Sequence, residues 1–290
     1  VSSITQDFAS TVTVPAAPTR SGYTFANWNA AADGTGTAYA PAATFSMPAA
    51  NSTLYAIWTI NQYTVSFDSQ GGSAVSSITQ DFASTVTVPA APTRSGYTFA
   101  NWNAAADGSG TAYAPAATFS MPAANSTLYA IWTINQYTVS FDSQGGSAVS
   151  SITQDFASTV TVPAAPTRSG YTFANWNAAA DGTGTAYAPA ATFSMPAANS
   201  TLYAIWTINQ YTVSFDSQGG SAVSSITQDY ASTVTVPAAP TRSGYTFANW
   251  NAASDGSGTA YAPAATFSMP AANSTLYAIW TINQYTVSFD

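Results

Sequence analysis

The sequence predicts a mainly β protein built as a tandem array of small, near-identical units, and three observations predict it. The first is self-similarity: Val1-Ser2-Ser3-Ile4-Thr5-Gln6 returns at Val75, Val149 and Val223, a constant spacing of 74 residues. A fixed period overrides any domain count drawn from the length of 290 residues. The second is apolar/polar alternation with a period of two, as in Tyr63-Thr64-Val65-Ser66-Phe67-Asp68, which sets Tyr, Val and Phe on one face of an extended chain. The third is the lack of sustained helical periodicity. Asn29-Ala30-Ala31-Ala32 and Pro48-Ala49-Ala50-Asn51 are helix-like in composition but too short to stand alone.

Taken in order along one period, Tyr63–Asp68 is a half-buried strand, and Ser69-Gln70-Gly71-Gly72-Ser73 follows with a glycine pair suited to the positive φ angles of a hairpin turn. Val75–Gln80 is a second strand candidate. Thr11-Val12-Thr13-Val14 alternates again and stops at Pro15, which cannot donate to a ladder. Pro15–Gly22 is a proline-punctuated connection with room for a single helical turn. Tyr23–Trp28 resumes alternation with Tyr23 and Phe25 inward, Asp33-Gly34-Thr35-Gly36 marks a turn, and Pro41 and Pro48 bracket the short extended piece Ala42–Met47. Leu54-Tyr55-Ala56-Ile57-Trp58 is apolar on both faces, as an interior strand requires. Each period is expected to hold four or five strands and at most one short helix.

The copies differ at three of the 68 positions they all share: Tyr230 replaces Phe8, Phe82 and Phe156; Ser254 replaces Ala32, Ala106 and Ala180; Thr35 and Thr183 alternate with Ser109 and Ser257. A site diversified between copies would vary more, so what is multiplied is the unit itself. Charged residues are 6% of the chain, all 12 acids are Asp, all four basic residues are Arg, and Lys, Glu, His and Cys do not occur. A net charge of −8 with four spaced arginines argues against nucleic acid, whose phosphates need clustered cations. Without His, Cys, Lys or Glu, the usual acid-base groups, nucleophilic triads and zinc ligands cannot be assembled. No catalytic residue and no cofactor is expected. Disulfides and lysine cross-links are excluded, so packing must hold each small unit. The ten aromatics per period, among them Tyr23, Phe25, Trp28, Phe45, Tyr55 and Trp58, supply apolar area worth about 25 cal/mol per Å² when buried. No run approaches the ~18 apolar residues of a membrane span.

Three stretches carry a family resemblance: "GYTFANW" (Gly22–Trp28) preceded by "PTR" (Pro18–Arg20), "STLYAIW" (Ser52–Trp58), and "YTVSFDSQGG" (Tyr63–Gly72). Together, and at this spacing, they resemble the Listeria-Bacteroides repeat, also called the internalin-type B-repeat, in every copy. Where that family commonly has Gly before the Trp, this chain has Asn27, Asn101, Asn175 and Asn249, the non-Gly residue type most tolerant of a left-handed backbone. The resemblance implies β-grasp-like modules, a curved sheet wrapping a short helix or connection, in tandem in extracellular or wall-attached adhesins on bacterial cells. On the family's register the units are 1–62 (lacking its first strand), 63–136, 137–210 and 211–284, with 285–290 the first strand of a further repeat. The chain also divides into 1–68, 75–142, 149–216 and 223–290 joined by SQGGSA linkers, and the pairing of Tyr63–Asp68 decides between the two.

Candidate sites are few. Asp33, Asp107, Asp181 and Asp255 lie in acidic Gly-rich turns and are weak candidates for calcium, which wants six to eight oxygens; a plain turn is the competing reading. Arg20, Arg94, Arg168 and Arg242, the only cationic side chains, precede aromatic pairs and are expected to stack on a ring or pair with an Asp. Trp28 and Trp58 of each period are core positions or a sugar platform. Asn51-Ser52-Thr53 and its copies at Asn125, Asn199 and Asn273 match the N-glycosylation pattern. The leading expectation is an extracellular stalk or fibre segment, because the connection Thr59-Ile60-Asn61-Gln62 lacks Gly and Pro and favours a stiff array. Four units about 30 Å across would make a rod on the order of 120 Å long. A multivalent array for a glycan or protein ligand and a laterally self-associating filament are the alternatives.

Overall fold

The computed structural model describes residues 2–289, and every regular element among them is a strand. Two compact units divide the chain, Val1–Asn135 and Gln136–Asp290.

In the first unit, the first copy contributes β1 (Thr11–Thr13), β2 (Tyr23–Asn29), β3 (Ala38–Tyr39), β4 (Thr44–Ser46) and β5 (Tyr55–Ile60). The second copy contributes β6 (Gln62–Asp68), β7 (Ile78–Asp81), β8 (Thr85–Thr87), β9 (Tyr97–Asn103), β10 (Ala112–Tyr113), β11 (Thr118–Ser120) and β12 (Ser126–Ile134). Five of these seven form a sheet of order β10-β9-β12-β6-β7, and the other two, β8 and β11, form a ribbon beside it. The central pair, β12 and β6, is parallel, with Val65 opposite Ser126 and Phe67 opposite Leu128; the other pairs are antiparallel. Tyr63–Asp68 therefore pairs with β7 and β12, both downstream of it.

The alternation in β6 sends Val65 and Phe67 into a core they share with Val86, Val88, Trp102, Met121, Leu128 and Ala130. Trp102 would face outward if the alternation of Tyr97 and Phe99 ran on unbroken. A β-bulge prevents this: Phe99 lies opposite Trp132 and Asn101 opposite Ile131, so Ala100 has no partner and the phase slips by one. Trp102 turns inward, edge-on to Phe67 (centroids 5.1 Å) and to Phe99 (5.6 Å).

Two expectations are corrected. The allowance of at most one short helix per period is not used among the described residues; at Ala104–Ala106 the Asn103 side chain takes the Ala105 N–H and binds the Gly108 and Gly110 carbonyls, which holds a turn instead. Seven strands per complete copy exceed the four or five expected; the one with no local signature is Ala112–Tyr113, at two residues too short to show a period. Asn27 and its equivalents lie in strands and have no positive φ, so their tolerance of a left-handed backbone is not used; each sits beside the bulge.

The first copy is smaller: a three-stranded sheet of order β3-β2-β5 and the ribbon β1–β4, with Ile4–Asp7 outside any strand. In the second unit, the third and fourth copies each repeat the seven strands and the sheet order of β6–β12. They are β13–β19, from Gln136–Asp142 to Ser200–Ile208, and β20–β26, from Gln210–Asp216 to Ser274–Ile282. Their central parallel pairs are the same, Val139 opposite Ser200 and Val213 opposite Ser274. Residues 284–289 form no strand and expose Tyr285, Val287 and Phe289.

Candidate functional site

Each arginine is engaged by its own copy. The Arg94 guanidinium carbon lies 3.9 Å from the Tyr97 ring centre and 5.9 Å from that of Trp132, a cation-π arrangement, and the N–H of Tyr97 donates to the Arg94 carbonyl at 3.1 Å. The Ser69–Gly72 turn covers this stack. Trp132 Nε1 donates to the Ser69 carbonyl at 2.9 Å, and a Cβ on Gly72 would lie 2.6 Å from the indole, so glycine is required there by close approach. Arg20, Arg168 and Arg242 repeat the geometry over Tyr23, Tyr171 and Tyr245. The tryptophans, read as core positions or a sugar platform, are packed: Trp102 is buried, and Trp132 is half-buried between the turn and Phe99.

The Asp33 loop is built on a buried asparagine that the sequence reading passed over. Asn29 donates from Nδ2 to the carbonyls of Gly34 and Gly36 and accepts at Oδ1 from the N–H of Ala31. Asn103, Asn177 and Asn251 do the same, and these four are the buried polar residues of the described chain. Asp33 itself is exposed. Its Oδ1 accepts from the Thr35 hydroxyl at 2.7 Å and the Thr35 N–H at 3.0 Å, and these bonds, the hydroxyl first, hold its pKa below the ordinary carboxylate value. Asp107, Asp181 and Asp255 are held down in the same way by Ser109, Thr183 and Ser257. Among the described residues, no three acids cluster closely enough to hold a metal ion.

The asparagines of the Asn-Ser-Thr pattern have a structural use in the complete copies. Asn125, Asn199 and Asn273 accept at Oδ1 from the N–H of Thr64, Thr138 and Thr212, each at 2.9 Å, and so tie the last connection of a copy to its first strand.

The most connected site is the joint between copies, which the sequence marked only as a linker without Gly or Pro. Strands β5 and β6 are separated by Asn61 alone. On the first copy's side, its N–H donates to the Gly22 carbonyl at 2.9 Å, and its Oδ1 accepts from the Thr24 hydroxyl at 2.6 Å. On the second copy's side, its carbonyl accepts from the Phe82 N–H at 2.8 Å, and its Nδ2 donates to the Tyr63 hydroxyl at 3.3 Å. The Phe82 ring covers Gly22, whose φ of +77° puts any Cβ in collision with it, and lies edge-on to Tyr23 and Tyr63. Within the second unit, Asn209 makes the same bonds to Gly170, Thr172, Tyr211 and Tyr230, and Tyr230 takes the place of Phe82 over Gly170. The swap of Phe for Tyr thus falls on the joint.

No helix among the described residues is long and apolar enough to cross a membrane. Over 280 residues the chain is 41% identical to a protein of Evansella cellulosilytica named as a Gly-rich membrane protein, covering 93% of this chain and 32% of that one. It is 39% identical over 242 residues to another protein of that organism named as a membrane protein, covering 82% of this chain and 34% of the relative. With Internalin H of Listeria monocytogenes it shares 44% over 147 residues, 51% of this chain and 25% of the internalin. The matched stretch spans between a quarter and about a third of the length of these relatives. The Listeria-Bacteroides repeat domain matches residues 2–57, 63–131, 137–205 and 211–279, and with the four copies accounted for in this way the chain belongs to the Listeria-Bacteroides repeat family.

Proposed function

We propose that this chain is a spacer segment of a bacterial surface protein, which holds a binding or anchoring element away from the cell. The joint carries this reading. Within each unit a single residue, Asn61 or Asn209, links the two copies and is hydrogen-bonded into both, which leaves little freedom to swing, unlike a Gly/Ser linker. Near-identical copies whose titratable side chains are only Asp, Arg and Tyr provide length rather than chemistry. Two relatives named as membrane proteins and one internalin support an extracellular, surface-attached setting. We read each complete copy as β-grasp-like, with its first and last strands side by side in parallel, and the folded units as 63–136, 137–210 and 211–284, with 1–62 a copy without its first strand. The pairing of β6 with β7 and β12 supports that division over one in blocks of 68.

Small-angle scattering from chains of two, four and six copies tests the spacer. The longest dimension is expected to rise in proportion to copy number. Growth closer to the square root of copy number, as for a flexible string, would sink the proposal.

A further inference from the structure

In each complete copy, the strand by which the chain enters lies beside the strand by which it leaves. The chain enters the second copy at Gln62, the first residue of β6, and leaves at Ile134, the last of β12. These two strands are the central parallel pair, matched over Val65–Asp68 and Ser126–Tyr129. Because the pair is parallel, Gln62 and Ile134 lie at opposite ends of it. Tension along the chain therefore drags the two strands past each other and loads all the hydrogen bonds between them at once. Strands β7–β11 come between them in sequence, but the load crosses directly from β6 to β12 through the shared ladder.

That ladder is protected on several sides. Both strands are interior, with β7 outside β6 and β9 outside β12, so neither presents an edge to water. On one face Val65, Phe67, Leu128 and Ala130 are buried in the common core, where water cannot replace a stretched bond and each bond is electrostatically stronger. Side chains tie the pair at both ends. The Thr64 N–H donates to Asn125 Oδ1 at 2.9 Å, and Trp132 Nε1 donates at 2.9 Å to the carbonyl of Ser69, the residue after β6. Asn61, bonded into both copies, leaves no slack chain ahead of β6. The third and fourth copies have the same parallel register and the same two flanking bonds.

We infer that each complete copy is a load-bearing clamp, whose central parallel pair must fail in shear before the copy can extend. Peeling a strand away breaks its bonds singly, so each yields at low force. Shear has to strain the whole set before any one is released, which raises the barrier that governs forced unfolding. The clamp is a property of each copy, and its use on a cell rests on the spacer reading. The two fail separately: a stiff array can have weak copies and a flexible one strong copies, and scattering reads the first property while pulling reads the second.

Single-molecule pulling on the 290-residue chain tests it, and the lack of native cysteine lets handles be placed by substitution at exposed positions. Gln62→Cys with Ile134→Cys loads the second copy in shear. Gln62→Cys with Ala123→Cys, two residues ahead of Asn125, loads the same pair from one end and peels it. All three positions are exposed and outside the matched stretch of the ladder, and hydrogen exchange checks that both variants are folded. At one loading rate, the unfolding force is expected to be several times higher in shear than in peel. Pulling the parent chain by its two ends should include three high-force events of equal length gain, on the order of 200 Å each, one per complete copy. Equal forces in the two geometries overturn the inference, and so do complete copies that extend without a resolved force peak when pulled in shear.

Discussion

The first and second copies are the same sequence from residue 1 to 62 and from 75 to 136 except for Thr35 and Ser109, yet they are folded to different extents. In the second copy, Ile78–Asp81 is a strand, Met121, Leu128 and Ala130 are buried, and the last strand begins at Ser126. In the first, the identical Ile4–Asp7 is not a strand, Met47, Leu54 and Ala56 are half-buried, and the last strand begins three positions later, at Tyr55. One element accounts for all of this. Strand β6 lies between β12 and β7, so without a counterpart to it the outer strand loses its partner, the last strand loses a neighbour along its first residues, and Val65 and Phe67 are not there to seal the core. The ribbon, the bulge, the asparagine loop and the arginine stack do not touch β6 through the backbone, and they are present in both copies.

The sharpest way to break this comparison is to change one phenylalanine in two places. Phe67→Ala is expected to cost the second copy about 3–5 kcal/mol, the range for truncating a buried aromatic, read as lost hydrogen-exchange protection in β7 and β12. Phe289→Ala in the lone chain should stay within about 0.5 kcal/mol, as exposed substitutions do. Equal effects would mean that the strand's sequence, not its partners, sets its contribution.

A smaller difference is expected at the joint. Gly22→Ala and Gly244→Ala share the strain of a non-Gly residue at positive φ, about 1–2 kcal/mol, but only Gly22 lies under a ring. Overpacking adds about 1–3 kcal/mol to Gly22→Ala, and thermal melts of the two variants should separate by that amount. Melting curves that coincide would remove Phe82 from the account of the joint.

The smallest effect tests whether the one sequence difference matters. Asp33 and Asp107 are each held below the ordinary Asp value of about 3.9 by a hydroxyl and then by a backbone N–H. A carboxylate lowered in the folded state stabilises it above that ordinary value, and the contribution is lost as pH falls through the lowered folded value. Thr35→Ala and Ser109→Ala should each raise the titration of the adjacent Asp toward the ordinary value without reaching it, since the backbone bond remains. Carboxyl carbon shifts followed by NMR against pH would check this, and an unmoved titration in either variant would contradict the hydroxyl as the main cause.

The parts of the fold readable from the residues were those with a local signature. Period-two alternation marked Tyr63–Asp68 and Tyr23–Trp28 as strands, proline marked the end of Thr11–Val14, two-sided apolarity marked Leu54–Trp58 as interior, and Asp33–Gly36 marked a turn. The arginine stack was legible too, because a cation in so sparse a charge inventory has aromatic rings as its nearest partners. The bulge at Ala100, the role of Asn29 and Asn103, and the two-sided bonding of Asn61 were not legible, since each depends on groups brought together only by strand register.

By itself, then, the sequence determined the period of 74, the β class, the chemistry that is missing and the residues able to fill a core, all of which follow from composition and local alternation. Only the tertiary structure decided which neighbours Tyr63–Asp68 joins, that Asn61 is a joint rather than a linker, and that one sequence, QYTVSFD, is a central strand three times and exposed over residues 284–289. The physical reason is that a strand is completed by hydrogen bonds and apolar contacts from other strands, so identical residues take the structure their partners allow.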